Sequence, residues 1–465
     1  MASTARRGAN EEEAPQPPLA APHHPHTRGT APDQPKAAND AVTKRYGTGG
    51  KPPFVDLDFT QSPFIVIWEV TRACDLACVH CRAEAMPTRH PLEFTTEEGF
   101  ALLDEMRRFG RPLLVLTGGD PMKRPDVYDF IEYGSKLGLR VTMTPSGTPL
   151  MTKEVIARCQ EKGLTHLAVS LDGPTRETHD AFRRVDGSFD WTLNILRWAR
   201  ELNVSTQINT TVTRHNLNVF DALRDLIEPL GILLWSVFFL VPTGRGRAED
   251  EVSAEDYERV FATLYELTKT ASFDIKTTAA PHYRRYVVQQ RAAERKAARL
   301  AGQADSQAPF LTGGIGFAMA GGLGGGISRA AKSVNDANGF VFISHTGDVY
   351  PSGFLPLSGG NVRRRSLVDI YRHSELFTTL RDYDQLKGKC GVCEFVSICG
   401  GSRARAYGMF GDYLESDPFC AYIPTPYQRL VERGEAEPAH DYFAQRLLAR
   451  GHGNLVPLVP RAPAA

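Results

Sequence analysis

Phe64-Ile65-Val66-Ile67-Trp68-Glu69-Val70 is followed, after Thr71-Arg72-Ala73, by Cys74-Asp75-Leu76-Ala77-Cys78-Val79-His80-Cys81. The first run is apolar and rich in β-branched side chains, which reads as a buried strand. The second puts three thiols on one short loop with the spacing C-x3-C-x2-C. Soft thiolates so arranged favour an iron–sulfur cluster or zinc. A cubane cluster normally takes four cysteines, so three leave one iron open to an outside ligand. An open iron is a reaction site; a closed one usually only carries electrons. Zinc would need His80 as fourth ligand, and His80 directly precedes Cys81, an awkward position from which to reach the same ion.

Outward from this loop the chain keeps a rhythm. Further β-rich runs fall at Leu113–Thr117, Leu139–Thr144, His166–Leu171, Val204–Val212 and Leu233–Val241. Segments with helical spacing separate them, at Thr96–Phe109, Pro125–Leu137, Lys153–Lys162, Trp191–Leu202 and Asn218–Leu230. Strands alternating with helices imply right-handed βαβ units and a parallel sheet covered by helices. Six units suffice for a partly closed α/β barrel, whose chemistry would lie at the C-terminal strand ends. The three-cysteine loop, Gly118-Gly119-Asp120 and Ser170-Leu171-Asp172-Gly173 all sit there.

The balance of 54 basic against 54 acidic residues gives no bulk charge with which to coat nucleic acid or an anionic membrane. The longest apolar run, Gly231 to Pro242, is too short to cross a bilayer as a helix. The first residues lack the apolar core of a secretory signal. A cytoplasmic protein with neither a nucleic-acid nor a membrane partner is expected. Residues 1–53 are poor in apolar side chains and read as a disordered tail, in which His23, His24 and His26 are solvated. Residues 312–326 are mostly glycine; they lack the strand–loop–helix setting of a phosphate loop and read as a mobile loop near the site. Another helix is expected at about 253–270, then a short strand and a helical stretch over 282–300. A small hairpin follows, at Phe340–Ser344 and Asp348–Pro351.

Seven of the eight cysteines fall in two groups, and the second is Cys390, Cys393, Cys399 and Cys420. Four thiolates close either a tetrahedral zinc site or a fully ligated 4Fe–4S cluster, and ligand count alone does not choose. Cys159, inside a helix, reads as a small buried hydrophobe.

The three-cysteine loop after the first strand resembles the signature of the radical S-adenosylmethionine (radical SAM) superfamily, and the resemblance covers about 64–245. It implies a partial (β/α)6 barrel in which Cys74, Cys78 and Cys81 hold a 4Fe–4S cluster that binds and reductively cleaves SAM to a 5′-deoxyadenosyl radical. The remaining site residues come from the same resemblance. His80 stands where the family has an aromatic residue and would flank the adenine. Gly118, Gly119 and Asp120 fall where the family has Gly-Gly-Glu, whose backbone meets the methionine ammonium. Ser170 and an arginine of Arg183-Arg184, taken as Arg183, resemble the partners of the SAM carboxylate; Asn209 and Ser146 are further candidates.

The second cysteine group resembles the SPASM C-terminal extension of such enzymes. A serine, Ser352, stands where the full pattern has an early cysteine, so one auxiliary 4Fe–4S cluster is expected, on Cys390, Cys393, Cys399 and Cys420. The implied division is a tail (1–53), a radical SAM core barrel (54–275), a helical and Gly-rich bridge (276–339), a SPASM-like domain (340–425) and a C-terminal helix and tail (426–465). Gly388 to Gly391, Cys399 to Tyr407 and Pro351 to Pro356 resemble the heme-biosynthesis subgroup, which remodels carboxylate side chains of tetrapyrroles. Arg245 and Arg247, at the mouth of the barrel, would fork onto substrate carboxylates. The expected protein is thus an oxygen-sensitive oxidoreductase or lyase with ferredoxin or flavodoxin as reductant. Two other readings stand beside it. One is a peptide or protein maturase, although the tail is too short and polar for a folded peptide-binding module. The other is a non-enzymatic electron-transfer or zinc-binding protein, against which the three-cysteine loop and Gly118–Asp120 speak.

Overall fold

The computed structural model describes residues 57–302 and 334–451. The expectations for the N-terminal tail and the glycine-rich 312–326 loop lie outside the described residues. Seven strands come first: Ile65–Thr71 (β1), Leu113–Gly118 (β2), Arg140–Met143 (β3), His166–Ser170 (β4), Ser205–Val212 (β5), Leu234–Phe239 (β6) and Asp274–Thr278 (β7). Interleaved helices are Thr96–Arg107 (α1), Val127–Lys136 (α2), Lys153–Glu161 (α3), Arg176–Arg183 (α4), Ser188–Glu201 (α5), Phe220–Ile227 (α6), Ala254–Leu267 (α7) and Tyr283–Leu300 (α8). Start signals are local. Thr95 and Glu98 form a reciprocal capping box at α1, and Ser253 and Asp256 another at α7.

Strands β1 to β7 run parallel in sequence order. This is the expected parallel α/β arrangement, extended by β7 beyond the six expected barrel strands. The expected hairpin is present as Phe340–Ile343 (β8) and Asp348–Tyr350 (β9), with the two-residue strand Gly360–Asn361 (β10) beyond. It does not stand apart from the barrel. β8 pairs parallel with β1, Ile65 opposite Phe340 through Trp68 opposite Ile343, so one ten-stranded sheet runs across the 340 boundary. The apolar core is likewise continuous, from Val66 on β1 to Leu447 near the C-terminus. Exposed main-chain groups on the β1 edge need a partner, and β8 supplies it.

Helices Leu367–His373 (α9), Glu375–Arg381 (α10), Gly388–Gly391 (α11), Arg403–Phe410 (α12), Thr425–Glu432 (α13) and Ala439–Ala449 (α14) complete the chain. The C-terminal helical region is therefore two helices. Helix α4 was missed because it is short and polar; α5 starts three residues before the expected Trp191. Cys159 is fully buried in the α3 face of the core, where burial pushes its thiol up to about 12.

Candidate active site

Strand direction places the β1 to β6 C-terminal ends on one rim, and the three-cysteine loop crosses it. Three neighbouring segments clamp that loop. At its start, the Gly119 N–H donates to Thr71 O at 2.8 Å and the Asp120 N–H to Ala73 O at 2.6 Å. A Cβ on Gly118 would lie 2.2 Å from Thr71 O, and one on Gly119 would lie 2.4 Å from Ala73 O. Any side chain there would push the cysteine loop away. Midway, Ala77 and Val79 donate to the carbonyls of Arg183 and Phe182 at 3.2 and 3.1 Å. At its end, the Arg245 N–H donates to Cys81 O at 3.0 Å, while its side chain donates to Cys78 O and Ala85 O at 3.0 and 3.4 Å. Gly244, at φ +58°, packs so closely that a Cβ would meet Arg82 O at 2.4 Å.

Cys74, Cys78 and Cys81 line a cavity of about 310 Å³ inside the barrel mouth, together with His80, Gly118, Gly119, Ser146, Ser170, Arg183 and Asn209. Cys74 and Cys78 are buried. Burial pushes the Cys74 thiol up to about 11, against opposing hydrogen bonds from Ser146 Oγ at 3.2 Å and the Leu76 N–H at 3.3 Å. Ligation of a metal would offset that cost, since a coordinated thiol gives up its proton. Cys78 Sγ receives Arg183 Nη1 at 3.5 Å. Arg183, rather than the exposed Arg184, turns inward and pairs with the fully buried Asp172. Asp172 also accepts from the Thr211 N–H at 2.7 Å. The His80 ring packs on Phe182 at 4.5 Å between centroids. Burial, then the charges of Arg183 and Arg245, hold its pKa well below the usual histidine range, so it is neutral.

Three of the expected site residues lie outside the cavity lining. Asp120 does not line the cavity. It is fully buried, accepts from Thr148 Oγ1 at 2.8 Å and the Met122 N–H at 3.1 Å, and burial pushes its carboxyl up to about 6. Its shorter arm turns under the strand end and caps the following turn. Arg245 and Arg247 do not line the cavity either: Arg245 holds the cysteine loop, and the exposed Arg247 pairs with Asp250 at 3.3 Å. Sequence reasoning missed the cavity's other wall. Phe238, Phe340, Phe342 and Phe354 line it, with Arg82 4.3 Å over the Phe342 ring and Lys276 of β7 among the lining residues. The pairing of β8 with β1 brings Phe340 and Phe342 there and that of β7 with β6 brings Lys276, while Phe238 lies on β6 itself. A wider cleft of about 580 Å³, lined by Arg214, Asp221, Ser253 and Arg259, carries none of the expected site residues.

Cys390, Cys393, Cys399 and Cys420 also converge, around a small void of about 30 Å³. All are free thiols. The Gly401 N–H reaches Cys399 Sγ at 3.4 Å, Arg403 Nη2 reaches Cys390 Sγ at 3.8 Å, and Lys389 donates to the Cys420 carbonyl. Burial pushes the Cys393 thiol up to about 12 and raises those of Cys399 and Cys420. Four thiols around one void, with Arg285 and Lys389 in its lining, are a donor set for a thiolate-bound metal centre. Among the described residues, no helix is long and apolar enough to cross a membrane.

Residues 68–227 match the family model of the radical SAM superfamily. The chain belongs to that superfamily and is a radical SAM enzyme, using S-adenosylmethionine and a 4Fe–4S cluster. More narrowly, it is similar to the AdoMet-dependent heme synthase of Methanosarcina barkeri, 40% identical over 365 residues, covering 78% of this chain and 98% of that one. It is also similar to the AdoMet-dependent heme synthase of Nitratidesulfovibrio vulgaris, 43% identical over 362 residues, covering 77% of this chain and 92% of that one. In fold it resembles Streptococcus suis SuiB bound to S-adenosylmethionine, with a TM-score of 0.56 at 16% identity over 78% of each chain.

Proposed function

We propose that this enzyme oxidatively decarboxylates carboxylate side chains of an iron tetrapyrrole, and that Cys390, Cys393, Cys399 and Cys420 hold an auxiliary 4Fe–4S cluster. The observation that carries this reading is the likeness to two heme synthases over more than 360 residues, far beyond the 68–227 stretch of the superfamily match. The cavity is consistent with it. Its phenylalanine wall suits the flat edge of a macrocycle, and Lys276 suits a substrate carboxylate.

When bound, SAM and its cluster supply a carbon-centred radical able to remove a hydrogen atom from substrate. The chain's own residues hold and orient. Cys74, Cys78 and Cys81 offer three thiolates on a clamped loop. Arg183, fixed by Asp172, would meet the SAM carboxylate, with Ser170 and Ser146 of the same cavity lining as further candidates. Asn209, whose Oδ1 accepts from Gln207 at 2.6 Å in the cavity lining, would meet the sugar. His80, which lines the cavity and is backed by Phe182, would flank the adenine. Gly118 and Gly119 serve first by letting β2 approach the cysteine loop.

Loss of a hydrogen atom and carbon dioxide from a propionate leaves a vinyl group and one electron, so this reaction class needs a one-electron acceptor. The four-cysteine site is suited to hold one. A ferredoxin or flavodoxin is the proposed reductant. The test is to titrate anaerobically reconstituted protein with iron-coproporphyrin and with didecarboxysiroheme, then add dithionite and SAM. A shifted Soret band and a decarboxylated product are expected with one of them. No shift and no product with either removes the tetrapyrrole reading.

A further inference from the structure

His282 immediately precedes α8 with its ring fully buried, stacked on Tyr257 at 5.2 Å between centroids and met by Phe261 edge-on at 5.0 Å. Neither ring nitrogen has a hydrogen-bond partner among the described residues. Asp417 Oδ2 lies 3.8 Å from Nδ1, beyond reach, and already accepts from the Ser402 N–H and from Arg405. Native interiors pair nearly all such groups, so a buried imidazole with two unpaired nitrogens points to a partner of its own. The ring lines the void bounded by Cys390, Cys393, Cys399 and Cys420. Two N–H groups there already reach thiol sulfurs, from Gly401 and Arg403. Arg285 and Lys389 line the same void.

We propose that His282 donates a hydrogen bond to a sulfur of the iron–sulfur cluster held by these four cysteines, and so raises that cluster's reduction potential. The inference rests on the auxiliary-cluster reading above. A reduced cluster carries one more negative charge than an oxidised one, and an N–H dipole aimed at its sulfur favours the more negative state. The ring is buried, and in a low local dielectric such a bond is stronger than in water. Tyr257 and Phe261 hold the ring fixed, so the donor does not swing away when the charge changes. A raised potential suits a cluster that takes an electron from substrate. His282 is thus a tuning residue that touches neither SAM nor substrate.

The test uses the full chain carrying Cys74→Ala, Cys78→Ala and Cys81→Ala, reconstituted anaerobically so that only the second cluster remains. Iron and sulfide are counted, and the midpoint is measured by EPR-monitored redox titration for this parent and with His282→Gln or His282→Phe added. At the parent's midpoint, His282→Phe should raise the oxidised-to-reduced ratio about tenfold, which is about 59 mV for one electron. His282→Gln keeps an N–H donor and should recover most of the shift. The parent labelled with 15N-histidine should show a nitrogen coupling at the reduced cluster. An unmoved midpoint in fully loaded His282→Phe, or no 15N coupling in the parent, overturns the inference and leaves the cluster reading standing. If His282→Phe loses its iron, the parent's 15N coupling decides alone. A parent without iron and sulfide overturns the cluster reading and this inference with it.

Discussion

Arg405 is fully buried where the barrel meets the C-terminal half, and its replacement by leucine tests how the two are joined. Its guanidinium donates to Glu251 Oε1 at 3.0 Å, to Asp417 Oδ2 at 3.3 Å, and to the Leu240 carbonyl just past β6 at 3.0 Å. Glu251 and Asp417 are also buried, so Arg405→Leu leaves two carboxylates facing one another with no cation between them. Removing one partner of a buried ion pair typically costs about 3–5 kcal/mol. The pH dependence carries the sharper signature. Burial, partly offset by Arg405, already pushes the Glu251 carboxyl up to about 7. Its folded pKa is raised above the unfolded value, so its favourable contribution is complete below about pH 4.5 and is lost as pH rises through about 7. Without Arg405 the carboxyl titrates higher still, and the loss extends further up the pH scale. The destabilisation should therefore be about 1–2 kcal/mol larger at pH 8 than at pH 6, at about 1.4 kcal/mol per unit of added shift. Urea unfolding followed by tryptophan fluorescence at the two pH values measures it, and Glu251→Gln added to Arg405→Leu should recover most of the loss. A loss below about 1 kcal/mol, equal at both pH values, would refute the argument.

Three further outcomes follow from the two cysteine sites and their clamps. Cys74→Ala should abolish release of 5′-deoxyadenosine from SAM under dithionite, whereas Cys420→Ala should still release it yet fail to convert substrate, as read by chromatography of both products. Gly119→Ala should strip iron from the first site while sparing the second, because its Cβ meets the Ala73 backbone at 2.4 Å and overpacking of that kind costs about 1–3 kcal/mol; an iron count near that of the parent would contradict it. Arg245→Leu should lose SAM cleavage and first-site iron through the freed loop carbonyls, while Arg247→Leu, at an exposed pair, should change substrate KM and iron content by less than about twofold.

Much of the barrel was legible because its strands read as short runs rich in apolar and β-branched side chains, from Ile65–Thr71 to the threonine-rich Ser205–Val212. Each of the six expected strands lies within one or two residues of its place. β7 and β8 were visible as short strands, but their neighbours were not. β8 joins β1 across some 270 residues of chain, and no local pattern encodes which sheet edge a strand will choose. Glu69 on β1 shows the consequence: its carboxylate accepts Arg82 Nη1 at 3.1 Å and meets His345 Nδ1 at 2.8 Å, with His345 following β8.

The sequence by itself set out the first cysteine group, because three thiols on one short loop stay together whatever the rest does, and the resemblance of that loop to a family signature pointed to the catalytic class. That Cys420 meets Cys390, Cys393 and Cys399 was left to folding. Tertiary structure alone decided side-chain direction. It turned Arg183 inward to Asp172 and Cys78, spent Arg245 on the cysteine loop, buried Asp120 beneath the strand end, and set His282 against the four-cysteine void. Those outcomes depend on strand register, helix rotation and the packing of distant segments, and a residue's identity carries none of that information until its neighbours are in place.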